Sequence, residues 1–146
     1  MGSRALRSSL EAAARIRSVT GCQVFVDTFM ARLEGGVGLP AFDALPYFPE
    51  QAIERLSGVE GMVVAGSQPP VAFFGYKHLH RSELLPEGCE CRVVCGLGVD
   101  SEPSLTAMAE ALEAPAYVHE ESPQRPAEPE ASAQGAAGGK ASKAAK

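Results

Sequence analysis

"PEQAIERLSGVEGMVVAG", residues 49–66, decides the fold, because it holds a short helix pattern and an apolar strand pattern back to back. Pro49 stands where a first helical turn accepts it, Glu50 comes early and Arg55 late, and Gly58 marks the stop. Two residues further on, "GMVVAG" at 61–66 is apolar without alternation. A strand with one wet face alternates, so this run reads as a strand covered on both faces, as in parallel sheets.

The same pattern recurs on either side. "CQVFVDTF", residues 22–29, is a continuous run of β-branched and aromatic residues, and its burial is expected to be two-sided. "CECRVVCG", residues 89–96, is a third apolar run. "SEPSLTAMAEALEA", residues 101–114, opens with Ser, Glu and Pro and sets Leu105, Met108, Ala109 and Leu112 on one helical face. The amino-terminal "MGSRALRSSLEAAARIRS" supports two readings. It is rich in Arg, Ala and Ser with Glu11 its sole acid, the composition of an organellar transit peptide. It is also an amphipathic helix with Leu6, Leu10, Ala13, Ala14 and Arg17 at three- and four-residue spacing and Gly21 at the stop. The rhythm of helix, strand, helix, strand, strand, helix predicts the α/β class: a Rossmann-like parallel sheet with helices on both faces.

The chain of 146 residues suits one domain, at 1–117, followed by a tail at 118–146. From Glu120 on, "EESPQRPAEPEASAQGAAGGKASKAAK" has no aliphatic larger than alanine and cannot bury enough apolar area to offset its chain entropy, so a disordered tail is expected. A net charge of −5 without a basic stripe argues against nucleic acid or an anionic membrane as partner. No apolar run approaches the roughly 20 residues of a membrane span, and a soluble protein is expected.

Three clusters invite a metal or phosphate reading. Cys89, Cys91 and Cys95 form C-x-C-x3-C, a poor match to paired zinc clusters, and strand alternation would put them with Val93 on one packed face. With no secretory signal, reduced thiols in a cytosol-like compartment are expected. His78 and His80, in "PPVAFFGYKHLH" at 69–80, would need oxygens from Glu83 or Glu87 to hold a metal; surface histidines beside Lys77 and Arg81 are the simpler reading, and no metal site is expected. "EGGVGLP", residues 34–40, lacks the strand-then-helix context of a phosphate loop because Pro40 follows it. A ligand contact is better sought at Gly66, Ser67 and Gln68 in "AGSQPP", where a buried strand ends, since ligands of open parallel sheets gather outside the carboxyl ends of the strands.

"AARIRSVTGCQVFVDTFMARLEGGVGLPAFDALPYFPEQAIERLSG", "MVVAGSQPPVAFFGY" and "LLPEGCECRVV" together resemble the central domain of thiamine-diphosphate-dependent enzymes, above all acetolactate-synthase-like large subunits. The resemblance runs from about Ala5 to about Ala114. It implies a domain that sits between a pyrimidine-binding and a diphosphate-binding domain, its partners in the intact enzyme, with thiamine diphosphate and magnesium held by those outer domains. No Gly-Asp-Gly motif for the diphosphate is present, nor a pyrimidine-side glutamate, so no catalytic residue is assigned and this chain alone is not expected to bind the cofactor or to catalyse. Flavin-containing members place an arginine just after the strand-ending glycine. Ser67 stands there and supplies neither cation nor planar donor fork, which counts against FAD while leaving main-chain contacts at Gly66, Ser67 and Gln68 open. "MGSRALR" matches the end of the family's first strand, so that strand is expected to be missing or supplied from elsewhere, and the exposed edge to favour self-association. Two functions follow as expectations. One is a fragment of a thiamine-diphosphate carboligase or decarboxylase, cytoplasmic or else mitochondrial or plastidic. The other is a stand-alone Rossmann-like nucleotide-binding or interaction module.

Overall fold

The computed structural model describes residues 4–77, 79 and 82–119. In chain order the elements are β1 (Arg4–Ala5), α1 (Arg7–Thr20), β2 (Phe25–Val26), β3 (Arg32–Leu33), β4 (Asp43–Ala44), α2 (Pro49–Arg55), β5 (Gly61–Ala65), β6 (Glu90–Cys95) and α3 (Glu102–Ala111). The ladders β1–β3, β2–β4 and β5–β6 are all parallel, and among the described residues one antiparallel bridge joins Val71 to Glu83. The α/β class with parallel strands therefore holds. The strands do not form one continuous sheet, however: they stand as three pairs, each strand bonded on one side only. No helix among the described residues is long and apolar enough to cross a membrane.

Helix α1 is the element around which the domain is organised. Gly21, at φ +69°, takes the left-handed conformation that only glycine adopts at little cost, and its N–H donates to the Arg17 carbonyl at 2.8 Å, closing the helix where the sequence indicated. The buried stripe is Ser9, Leu10, Ala12, Ala13 and Ile16, while Arg17 stays exposed, so the packed face lies one position away from that drawn through Leu6, Ala14 and Arg17. The helix reading of this segment is the one the fold uses. Ala12 and Ile16 meet Leu105, Ala109 and Ala114 in one core cluster that also takes in Ala65 of β5. Small side chains at these positions let α1 and α3 approach closely. A second cluster joins Ala5, Leu10 and Val26, flanked by Met30 and Phe42.

The end of α3 is fastened in two ways. Ala114 N–H donates to Ala109 O and Glu113 N–H to Glu110 O, each at 2.9 Å, the paired bonds of a Schellman cap. Glu113 occupies its left-handed position at φ 52°, where glycine is usual. The Arg15 guanidinium of α1 then donates to Ala114 O at 2.8 Å and Pro115 O at 3.0 Å. Beyond this, Val118 is exposed and His119 Nδ1–H donates to Gly38 O at 2.7 Å. The remainder of the expected tail, residues 120–146, lies outside the described residues.

Two strand expectations need correction. The eight-residue run 22–29 contributes only Phe25 and Val26 to a ladder, and its burial is not two-sided: Val26 is buried, Phe25 half-buried, and Phe29 57% exposed. The run ends early because side chains take over the backbone bonding. Phe29 N–H turns back to Asp27 Oδ1 at 3.4 Å, and the Thr28 hydroxyl donates to Leu45 O at 2.8 Å. In β6, the register carries Val64 to Val93 but Ala65 to Cys95, so Val94 is an extra, bulged residue. Alternation inverts beyond it, and Cys95 leaves the face shared by Cys91 and Val93 to pack against the α1–α3 cluster.

Candidate functional site

The chemistry-bearing side chains collect where β2 and β5 end. Gly66 closes β5 at φ +67°, and its buried N–H is shared between Cys95 O and Cys95 Sγ, both at 2.9 Å. Ser67 is 7% exposed, and its hydroxyl donates to Asp27 Oδ2 at 2.6 Å. The shortness marks a hydrogen bond to a charged acceptor, so this pair is a firm tie between the two strand ends. Of the three residues singled out in the sequence, the Gly66 N–H and the Ser67 hydroxyl are thus engaged within the protein, and Gln68 is the exposed one. Asp27 escaped the sequence reading. Its signal was there, a lone acid ending an otherwise apolar strand.

Aromatic rings surround this corner. Phe29 packs edge-on against Phe73 at 4.7 Å and Tyr47 at 5.8 Å, while Tyr47 and Phe73 lie nearly parallel, 9° apart, with centroids at 6.2 Å. Phe48 and Phe74 extend the group from Tyr47. The fold brings Phe73 to Phe29 and Tyr47 and Phe74 to Tyr47, partners that sequence spacing could not reveal. Phe29, Phe48, Phe73 and Phe74 remain between 45% and 60% exposed, so the rim is an apolar surface beside the strand ends.

Below the rim lies a cavity of about 520 Å³. Ala13, Ile16 and Thr20 of α1 and Leu105, Met108 and Leu112 at α3 line it at helical spacing, while Leu45, Leu56 and Val59 come from either side of α2. Its other lining is backbone-rich: Cys22 to Asp27 without a gap, and Glu60 to Ala65 without a gap. Asp27, Ser67 and Gln68 stand at its carboxyl-end mouth.

The described thiols form no cluster at this site: Cys22 lines the cavity, and Cys95 Sγ accepts from the Gly66 N–H. All four cysteines are free, Cys22 exposed and the other three half-buried. Burial pushes the Cys91 thiol above its usual range, with smaller contributions in the same direction from Cys89 and Glu83. No group of three or more His, Cys, Asp or Glu that could hold a metal occurs among the described residues. His78 and His80 lie outside them, so the metal reading of that pair is not addressed by the fold.

Over 101 residues, 69% of this chain, the sequence is 43% identical to a Mycobacterium tuberculosis protein described as "Putative acetolactate synthase large subunit IlvX". The match covers 19% of that protein, so this chain spans about a fifth of the relative's length. No protein-family model matches the chain. No solved structure matches it either. The relationship to an acetolactate-synthase-like protein agrees with the resemblance read from "LPYFPEQAIERL" and "PVAFFGY".

Proposed function

We propose that this chain is the central scaffold domain, or a fragment, of a thiamine-diphosphate- and magnesium-dependent carboligase or decarboxylase of the acetolactate synthase kind, catalysing nothing by itself. The observation that carries the reading is the 43% identity over 101 residues to a protein named as an acetolactate synthase large subunit. The parallel α/β architecture is compatible with it. The polar groups of the site do not fit a magnesium diphosphate. Asp27 is bonded to Ser67, and among the described residues no carboxylate group converges for a divalent ion and no arginine or lysine lines the cavity. In this proposal the cofactor belongs to the pyrimidine- and diphosphate-binding partner domains, and this domain holds them apart at a set distance. FAD fits no better, since Ser67 turns inward to Asp27; what the corner offers a ligand is Gln68 and the main chain around it.

Two experiments test the proposal. Titrating the purified chain with thiamine diphosphate and magnesium should give no saturable heat, and 2-oxo acid should release no carbon dioxide; either signal would overturn the non-catalytic role. Replacing the matched segment of the Mycobacterium tuberculosis relative with this chain's residues should yield a chimera that folds and assembles like its parent. An unfolded chimera would overturn the scaffold assignment.

A second reading, a stand-alone nucleotide-binding or interaction module, draws on the exposed aromatic rim at the carboxyl edge of β2 and β5. A rise in melting temperature with adenine nucleotides, lost in Phe73→Ala, would favour it over the first.

A further inference from the structure

The cavity between β2 and β5 has the lining of an empty strand position. Side chains of a strand alternate between faces, so a pocket lying against one face of β5 would touch every second residue. This cavity touches Gly61, Met62, Val63, Val64 and Ala65 in succession, which requires that the backbone edge itself faces in. The hydrogen bonds agree. Glu60 O accepts from Glu90 N–H and Gly66 N–H donates to Cys95 O, both at 2.9 Å, so the main-chain groups of even-numbered residues point to β6. By the alternation of a parallel ladder, those of Gly61, Val63 and Ala65 point into the cavity. The opposite wall, Cys22 to Asp27, is the edge of β2 turned away from its partner β4. At the mouth, the Ser67–Asp27 bond holds the two carboxyl ends across the gap through two side chains, where directly paired strands would bond through their backbones.

We propose that this slot accepts one extended apolar segment of about five residues from outside residues 1–146, roughly 17 Å of strand, which pairs with the free edge of β5. A compact apolar ligand would fill the volume and leave the inward-facing amides of Gly61, Val63 and Ala65 without partners; a strand supplies both. Among residues 1–146, those outside the described set do not supply such a strand. Met1 to Ser3 are too few, and residues 120–146 contain no aliphatic larger than alanine. A second copy offers no spare strand among its described residues either, since β5 and β6 are the only described strands of five or more residues and are already paired with each other. The inference is independent of the proposed function.

The test uses the full chain and a capped heptapeptide of alternating Val and Ile with terminal lysines, which suits a chain of net charge −5. A version N-methylated at alternate amides serves as control. The parent peptide is expected to bind one to one and to slow amide exchange at Val63 and Ala65 by about tenfold or more; the N-methylated peptide is expected to do neither. Equal binding of both peptides, or binding without that protection, would overturn strand pairing in favour of mere apolar occupancy. Protection of Val63 and Ala65 in the peptide-free protein together with a dimer by light scattering would make a second copy the occupant and overturn the proposal. The same peptide joined to Met1 through a Gly/Ser linker reaches an effective concentration of about 1 mM. Protection by the tethered strand is the expected result and supports the slot whether or not free peptide protects at that concentration; failure of the tethered strand would overturn the slot itself.

Discussion

The two flanks of this domain are built to different standards. Where α1 meets α3, Ala12, Ala109 and Leu105 are at most 6% exposed, and Arg15 stitches the end of one helix to the other through two carbonyl bonds. On the strand side, Val63 and Val93 are each 51% exposed although they belong to the longest ladder in the molecule. Both flanks draw on apolar sequence of similar quality. The difference is in partners: a helix satisfies its own backbone and needs only a facing surface, whereas a strand needs a neighbour on each side before its faces can be covered.

That contrast can be broken or sharpened by measurement. The largest effect is expected for Leu10→Ala. Leu10 is 1% exposed and packs on Ala5 and Val26, so its truncation should cost about 2–5 kcal/mol in denaturant unfolding. A loss below about 1 kcal/mol would mean that the helical flank is no better packed than the strands. Next comes Glu113→Gly, which removes the strain of a side chain at φ 52° and should stabilise by about 1 kcal/mol, seen as a higher midpoint with unchanged slope. Val63→Thr, at the half-exposed centre of β5, should change stability by no more than about 0.5 kcal/mol. A cost as large as that of Leu10→Ala would show that something covers β5 in solution, the condition the strand slot anticipates.

The smallest effect concerns Cys91. Burial raises its folded-state pKa, so the stability associated with the neutral thiol is complete below the unfolded-state value and is lost as pH rises through the folded-state one. A shallow decline in stability on the alkaline side, absent in Cys91→Ala, is the expected outcome. Modification by iodoacetamide should correspondingly reach exposed Cys22 before Cys91.

Much of the architecture could be read directly from residues. Gly21 and Gly66, both needed at positive φ, ended α1 and β5 where the sequence pointed, and Pro49 opened α2. What misled were features whose meaning depends on a distant partner. "CQVFVDTF" looked like a buried strand because apolar runs report affinity for burial, whereas among the described residues only β4 pairs with it, over Phe25 and Val26. The C-x-C-x3-C spacing implied one shared face, and a single bulged residue, Val94, undid it for Cys95. At the strand ends, the position of Gly66, Ser67 and Gln68 just beyond β5 was legible from an apolar run ending in glycine. Asp27, Phe29 and Tyr47 were not, because each gains its role only when residues tens of positions away arrive beside it.

The sequence by itself determined the α/β class, the helix boundaries and the kinship with an acetolactate-synthase-like protein, because capping residues, periodicity and identity are local properties of the chain. Tertiary structure alone decided that the sheet breaks into three parallel pairs, that Ser67 turns inward to Asp27, and that a slot with a free backbone edge lies between β2 and β5. Those are statements about which edges meet, and edge pairing is a long-range choice that no local pattern encodes.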